Sequence, residues 1–207
     1  MTATNTGRRR PGRPAGSSGT RERILANARE LFARNGIRDT SIRAVAAASG
    51  VDSALVHHYF GTKEKLFAAA VHIPIDPMEV IGRLKEVPVD ELGHTLPSML
   101  LQLWDSEIGV AFVATLRSIL AGSEANLFRS FIQDVIAVEL GPRVDDPPGT
   151  GHIRIQFVAS QLVGVVMARY ILGFEPFASL PAEEIARTIA PNLQRYLTGE
   201  LPDGLAP

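Results

Sequence analysis

The 207-residue sequence contains no cysteine. That excludes a disulfide framework, thiolate catalysis and cysteine metal sites, and it suits a reducing cytoplasm. No apolar run follows the basic N-terminus, so no signal peptide is expected. The most apolar late stretch, residues 158–172, holds Gln161 and Arg169 and is read as too short to cross a bilayer. No membrane partner is expected. Enzyme signatures are missing too: no G-x-S-x-G, no P-loop, no H-E-x-x-H and no dinucleotide fingerprint. Neither catalysis nor a cofactor is therefore expected. The pair His57-His58 does not hold a metal on this reading. Neighbours on a helix point about 100° apart, and no carboxylate stands at ligand spacing.

What is present is unevenly spread. The formal net charge is only −1. Yet residues 1–70 carry 12 Lys/Arg against 5 Asp/Glu, while residues 71–207 carry 9 against 17. A basic end on an acidic body implies a polyanionic partner at that end, and nucleic acid is the usual one. Hydrophobic residues make up 45% of the chain, enough for a sizeable core.

Residues 1–19 lack an apolar period and should be disordered alone. Within them Arg8, Arg9, Arg10 and Arg13 sit among Gly and Pro, resembling an AT-hook-like arm that enters a narrow minor groove. A first helix is predicted from Thr20, with Ile24, Leu25, Ala28, Leu31 and Phe32 as its stripe and Asn35-Gly36 as its stop. A second starts at Thr40 or Ser41, turns at Ser49-Gly50-Val51, and hands over to a third capped by Asp52 or Ser53. Val56 and Phe60 point that helix inward. Gly61 stops it and Thr62 caps the next. This is a helix-turn-helix, whose second short helix lies in a major groove. Pro74 and Pro77 should break the fourth helix and mark a domain joint. Beyond it, further helices are predicted at 78–85, 90–105, 107–120, 124–140, 152–173 and 181–197, with a loop at 141–151.

The stretch TSIRAVAAASGVDSALVHHYFGTKEKL, residues 40–66, resembles the DNA-binding domain of TetR (tetracycline-repressor) family regulators. The runs SQLVGVVMARYILGFEPFASL and IAPNLQRYL resemble a C-terminal domain common in actinobacterial members. The resemblance implies an all-α homodimer of about nine helices per subunit. It also implies a helix-turn-helix DNA-binding domain at residues 20–72 and a ligand-binding and dimerisation domain at 73–207. Such proteins commonly carry Tyr at the position of His57.

On this reading Thr40, Ser41, His57, Tyr59 and Lys63 meet phosphates, while Arg43, Ser53, Ala54 and His58 face base edges. A small, largely apolar effector is expected among Met99, Leu103, Trp104, Phe112, Leu116, Phe128, Phe157 and Gln161, the last offering an amide to a polar group. Val158, Leu162, Val165, Val166, Ile185, Ile189 and Leu193 are expected at the dimer interface. The function expected is a ligand-responsive repressor on a pseudo-palindromic operator. An activator, or an architectural DNA-binding protein without a ligand, is the alternative.

Overall fold

The computed structural model describes residues 16–121, 125–202 and 204–205, and every regular element among them is helical. The first four helices form one head. Helix α1, Gly16–Asp39, buries Ile24, Ala28 and Phe32, which are spaced by four. It begins a turn earlier than Thr20, because no proline after Pro14 interrupts its ladder. At Gly36 the backbone turns to φ 78°, ψ 173°, a conformation open in practice only to glycine.

Short helices then follow, each opened by a side chain. The Ser41 hydroxyl accepts from the Ala44 amide at 3.1 Å and starts α2, Ile42–Ala48. The Asp52 carboxylate accepts from the Ala54 amide at 2.7 Å and starts α3, Ser53–Phe60. The Thr62 hydroxyl accepts from the Lys65 amide at 3.2 Å and starts α4, Lys63–Ala70. Caps of this kind are worth about 1 kcal/mol each, which matters for helices of only two turns. Val45, Val56 and Leu66 close the head's core against α1, and Phe32 meets Phe67 edge-on at 5.4 Å.

Helix α4 ends at Ala70, before either proline. The break is a left-handed turn at His72, φ 59°, a strained angle for a residue with a Cβ. Two neighbours hold it. Thr115 Oγ1 donates to the His72 carbonyl at 3.2 Å, and the Arg29 guanidinium lies 3.2 Å from His72 Nδ1. Asp76 then caps α5, Pro77–Glu86, with proline at the first helical position, where its missing N–H costs nothing.

The rest of the chain packs as α6 (Leu92–Trp104), α7 (Gly109–Ala121), α8 (Ala125–Ser130), α9 (Ala137–Leu140), α10 (Gly151–Val166) and α11 (Ala182–Thr198). A π-helical stretch, Phe131–Ile136, joins α8 to α9, and another, Met167–Leu172, extends α10. Helix α11 lies close along α6. A Cβ on Gly93 would stand 2.6 Å from that of Gln194, whose amide instead accepts from Gly93 N and donates to Val89 O. Arg154, 1% exposed, reaches from α10 to the C-terminal end of α11. Its guanidinium donates to the carbonyls of Tyr196 and Gly199 at 2.9 Å, to Asp146 O at 2.6 Å and to Thr150 Oγ1 at 3.1 Å.

Two expectations change here. The stretch read as too short to cross a bilayer, residues 158–172, belongs to a longer apolar helix that continues through the π turn. Gly151–Ile171 is 21 residues, long and apolar enough to cross a bilayer. It carries buried Arg154, however, and its inner side packs within the subunit. Of the seven residues expected between subunits, four are taken up by the subunit's own core and three are half-buried. Val158, Val166, Ile185 and Leu193 are buried in the subunit. Leu162 lines a cavity, and Val165 and Ile189 pack beside Leu101 and Ala186. A helix apolar on most of its circumference gives no sequence signal for which side meets which partner. The outward stripe of α10 runs instead through half-buried Ile153 and Phe157 to exposed Ser160, Gln161 and Gly164.

Candidate DNA-reading surface and effector cavity

The outer side of α2 and α3 presents Arg43, Ala54, His57 and His58 as exposed residues, with Ser53, Tyr59 and Lys63 half-buried beside them. Arg43 forms no ion pair with any described residue and is open to a guanine edge or a phosphate. Ser41 is exposed, but its hydroxyl oxygen is engaged as the cap of α2, leaving its proton as donor. His57 Nδ1 lies 2.8 Å from the Gly61 carbonyl, so that nitrogen carries the proton. Its Nε2 then accepts when the ring is neutral and donates to phosphate only as imidazolium. Lys63 spends one donor on the Arg38 carbonyl at 3.3 Å, which fixes it at the start of α4. His58 stacks edge-on with Tyr59 at 5.8 Å.

Thr40 leaves the set of DNA-facing residues. It is 2% exposed, and its hydroxyl is directed at the carbonyls of Gly36 (2.7 Å) and Leu31 (3.2 Å), tying off the end of α1. The sequence shows a threonine before a helix, and that pattern fits a cap, a phosphate donor or an internal staple equally. Arg8, Arg9, Arg10 and Arg13 lie outside the described residues. Two arginines gain structural roles that their sequence positions did not signal. Arg23 Nε donates to the Ser49 carbonyl at 2.9 Å, locking the α2–α3 turn onto α1, and the Arg21 guanidinium lies over the Phe60 ring at 5.3 Å.

Behind the head lies a cavity of about 580 Å³. Six of the eight expected effector residues line it: Met99, Leu103, Trp104, Phe112, Leu116 and Phe128. Phe157 and Gln161 do not. Phe157 stacks on Tyr196 at 5.3 Å, and Gln161 is on the outward stripe of α10. They share a helix with Val158 and Leu162, which do line the cavity, and a shift of one residue on a helix turns the side chain away by about 100°. Trp104 stands between Phe112, 5.5 Å away, and Tyr170, 5.2 Å away. The Tyr170 hydroxyl donates to Asp105 at 2.8 Å. Burial, then this bond to a carboxylate, pushes its pKa up.

The cavity wall is shared with the head, which the sequence reading did not anticipate. Phe67 and Val71, at the C-terminal end of α4, line it. So do Phe131, Ile132 and Ile136 of the π-helical stretch, and Phe131 stacks on Phe67 at 6.0 Å with planes 10° apart. The same stretch grips the turn ahead of α2. Asp134 Oδ2 accepts from the Arg38 amide at 3.3 Å, and a Cβ on Gly36 would stand 2.9 Å from Ser130 Oγ. The cavity and the α2–α3 pair thus meet through α4 and through Phe131–Ile136.

Comparison with known proteins places the sequence in a family. Residues 24–70 match the family described as bacterial regulatory proteins, tetR family. Residues 90–197 match the tetracyclin repressor-like C-terminal domain. The transcriptional repressor KstR2 of Rhodococcus jostii is 33% identical over 73 residues, 35% of this chain and 35% of its own length. The repressor SCO4008 of Streptomyces coelicolor is 31% identical over 103 residues, 44% of this chain and 53% of its own. The chain thus spans about a third to a half of these curated relatives. A solved TetR-family regulator from Streptomyces coelicolor, SCO0857, is 31% identical. That alignment covers 90% of this chain and 99% of that one, with a TM-score of 0.43. With its C-terminal family match alone reaching over more than half its residues, and a second match running from α1 to α4, the chain belongs to the TetR family of bacterial transcriptional regulators.

Proposed function

We propose that this chain is a cytoplasmic, ligand-responsive repressor that binds a pseudo-palindromic operator as a homodimer. Residues 20–72 form the DNA-binding domain, and residues 73–207 the ligand-binding and dimerisation domain. Helix α3 enters the major groove with Ala54 and His58 toward the bases. Arg43 reads from α2, and Ser41, His57, Tyr59 and Lys63 hold phosphates. The arginine arm follows the adjacent minor groove. Two subunits join through the outward stripe of α10, where Gly164 admits close approach of a second helix, with α11 completing a four-helix interface.

The observation that carries this reading is the shared wall between cavity and head. An apolar effector in contact with Phe67, Val71 and Phe131 touches α4 and the π-helical stretch at once. It lowers operator affinity by binding more tightly to a conformer in which the two recognition helices no longer stand about 34–36 Å apart. The test is fluorescence anisotropy of the purified protein on labelled duplexes from the DNA flanking its own gene. Arg43→Ala and His58→Ala should each weaken specific binding about tenfold, as expected for a base contact worth 1–3 kcal/mol. Full specific binding by both variants would refute the assignment of α2 and α3 as readers.

A further inference from the structure

Resting on the cavity being the effector site, we infer that its ligand is an electrically neutral, hydrocarbon-rich molecule, and that Trp104 supplies its only directional contact. The polar groups of the cavity decide this. Among its described lining, Arg83 is the one charged residue. Its guanidinium is exposed and already paired with Glu79 at 2.7 Å. Gln102 and Ser106 are exposed as well, so these three mark the rim rather than the interior. Thr115 lies in the wall, but its proton is given to the His72 carbonyl at 3.2 Å. That leaves the indole N–H of Trp104, which donates to no described residue.

An ionised group carried into this space would lose its water and find no partner, a cost that tight binding does not tolerate. A carbonyl or ether oxygen needs only one donor, and the indole is one. The rim does not favour an anionic head either, because the Arg83 charge is already opposed by Glu79. Size sets a second limit. Filled at the density of a protein interior, about 580 Å³ takes on the order of 20 non-hydrogen atoms. Aromatic rings on several sides suit flat or extended apolar bodies, which make offset and edge contacts with them.

The chain's single tryptophan makes the test direct, since all indole fluorescence reports from Trp104. The full-length protein is titrated with methyl hexadecanoate and with hexadecanoate, equal in chain and different in charge. Pyrene serves as a neutral fused-ring probe and methyl tetracosanoate as an oversized one. The expected result is saturable change in Trp104 emission with the ester and with pyrene. Hexadecanoate should bind at least tenfold more weakly than its ester, and the oversized ester should not saturate. Ala159→Phe, which projects a ring into the cavity, should abolish the response while leaving thermal unfolding cooperative. Equal or tighter binding of hexadecanoate overturns the inference. If that binding is lost in Arg83→Ala, the ligand is an anion anchored at the rim. No response to either neutral probe overturns it too. Operator binding is measured on the same samples. Intact operator binding without probe binding defeats this inference alone, whereas absent operator binding defeats the proposed function.

Discussion

Replacing Arg154 by Met removes a buried cation and keeps most of its length. The guanidinium holds three backbone carbonyls, of Asp146, Tyr196 and Gly199, and the hydroxyl of Thr150. Tyr196 and Gly199 end α11, where unpaired carbonyls carry the negative end of the helix dipole. Each carbonyl deprived of a charged donor costs about 1 kcal/mol or somewhat more, so the sum is about 3–4 kcal/mol. That is a large share of the roughly 5–15 kcal/mol typical of a folded domain. At about 2–4 °C per kcal/mol for a chain of this size, the midpoint should fall by about 10 °C. Thermal and urea unfolding followed by Trp104 emission, at one fixed protein concentration to hold any self-association constant, measure the shift and the free-energy loss. Arg154→Lys should recover less than half, because one ammonium does not span four acceptors in different directions. These contacts stay within α10, α11 and the loop before α10, so operator binding well below the midpoint should be unchanged. A loss under 1 kcal/mol for the Met variant would refute the reading of Arg154 as the tie between α10 and α11.

Other outcomes follow from the same geometry. Ser41→Ala removes the cap of α2 and should cost about 1 kcal/mol in urea unfolding, while Thr40→Val should leave operator phosphate contacts untouched and reduce stability instead. Asp134→Ala frees the Arg38 amide from the π-helical stretch. A neutral cavity probe should then bind as before, read by Trp104, but release operator several-fold less effectively; unchanged release would leave α4 as the sole route. Because Tyr170 has a folded pKa raised above its usual value of 10.0, the folded state holds that proton while the unfolded chain ionises. Stability from this group is therefore complete below pH 10 and is lost as pH rises beyond it, and Tyr170→Phe should flatten that alkaline fall. His57→Ala should weaken operator binding several-fold without changing sequence preference, as the loss of a phosphate contact does; unchanged affinity would remove His57 from the contact set.

The head was legible because its signals are local. Ser41, Asp52 and Thr62 cap helices within three residues of themselves, and Gly36 and Gly61 take positive φ where the sequence demands a stop. What was not legible depends on tertiary facing. Thr40 has the same chemistry whether it faces DNA or the Gly36 carbonyl, and only the packing of α1 decides. Helices α10 and α11 were placed correctly, yet Val158 and Ile185 were given the outer side, because an apolar circumference carries no mark of which face meets its own subunit. Phe157 and Gln161 missed the cavity by one helical position for the same reason. Phe131 and Asp134 gave no sequence signal at all; their importance comes from a π turn that rotates one helix so that it touches both the cavity and the α1–α2 turn.

Selection from a pool of random duplexes with the full-length protein tests the central claim most directly, since it presumes no operator. The account predicts enrichment of an inverted repeat whose half-site centres lie about one helical turn apart, with Arg43→Ala and His58→Ala each relaxing preference at symmetric positions in both halves. Enrichment of a single unrepeated site, or of no sequence at all, would contradict it.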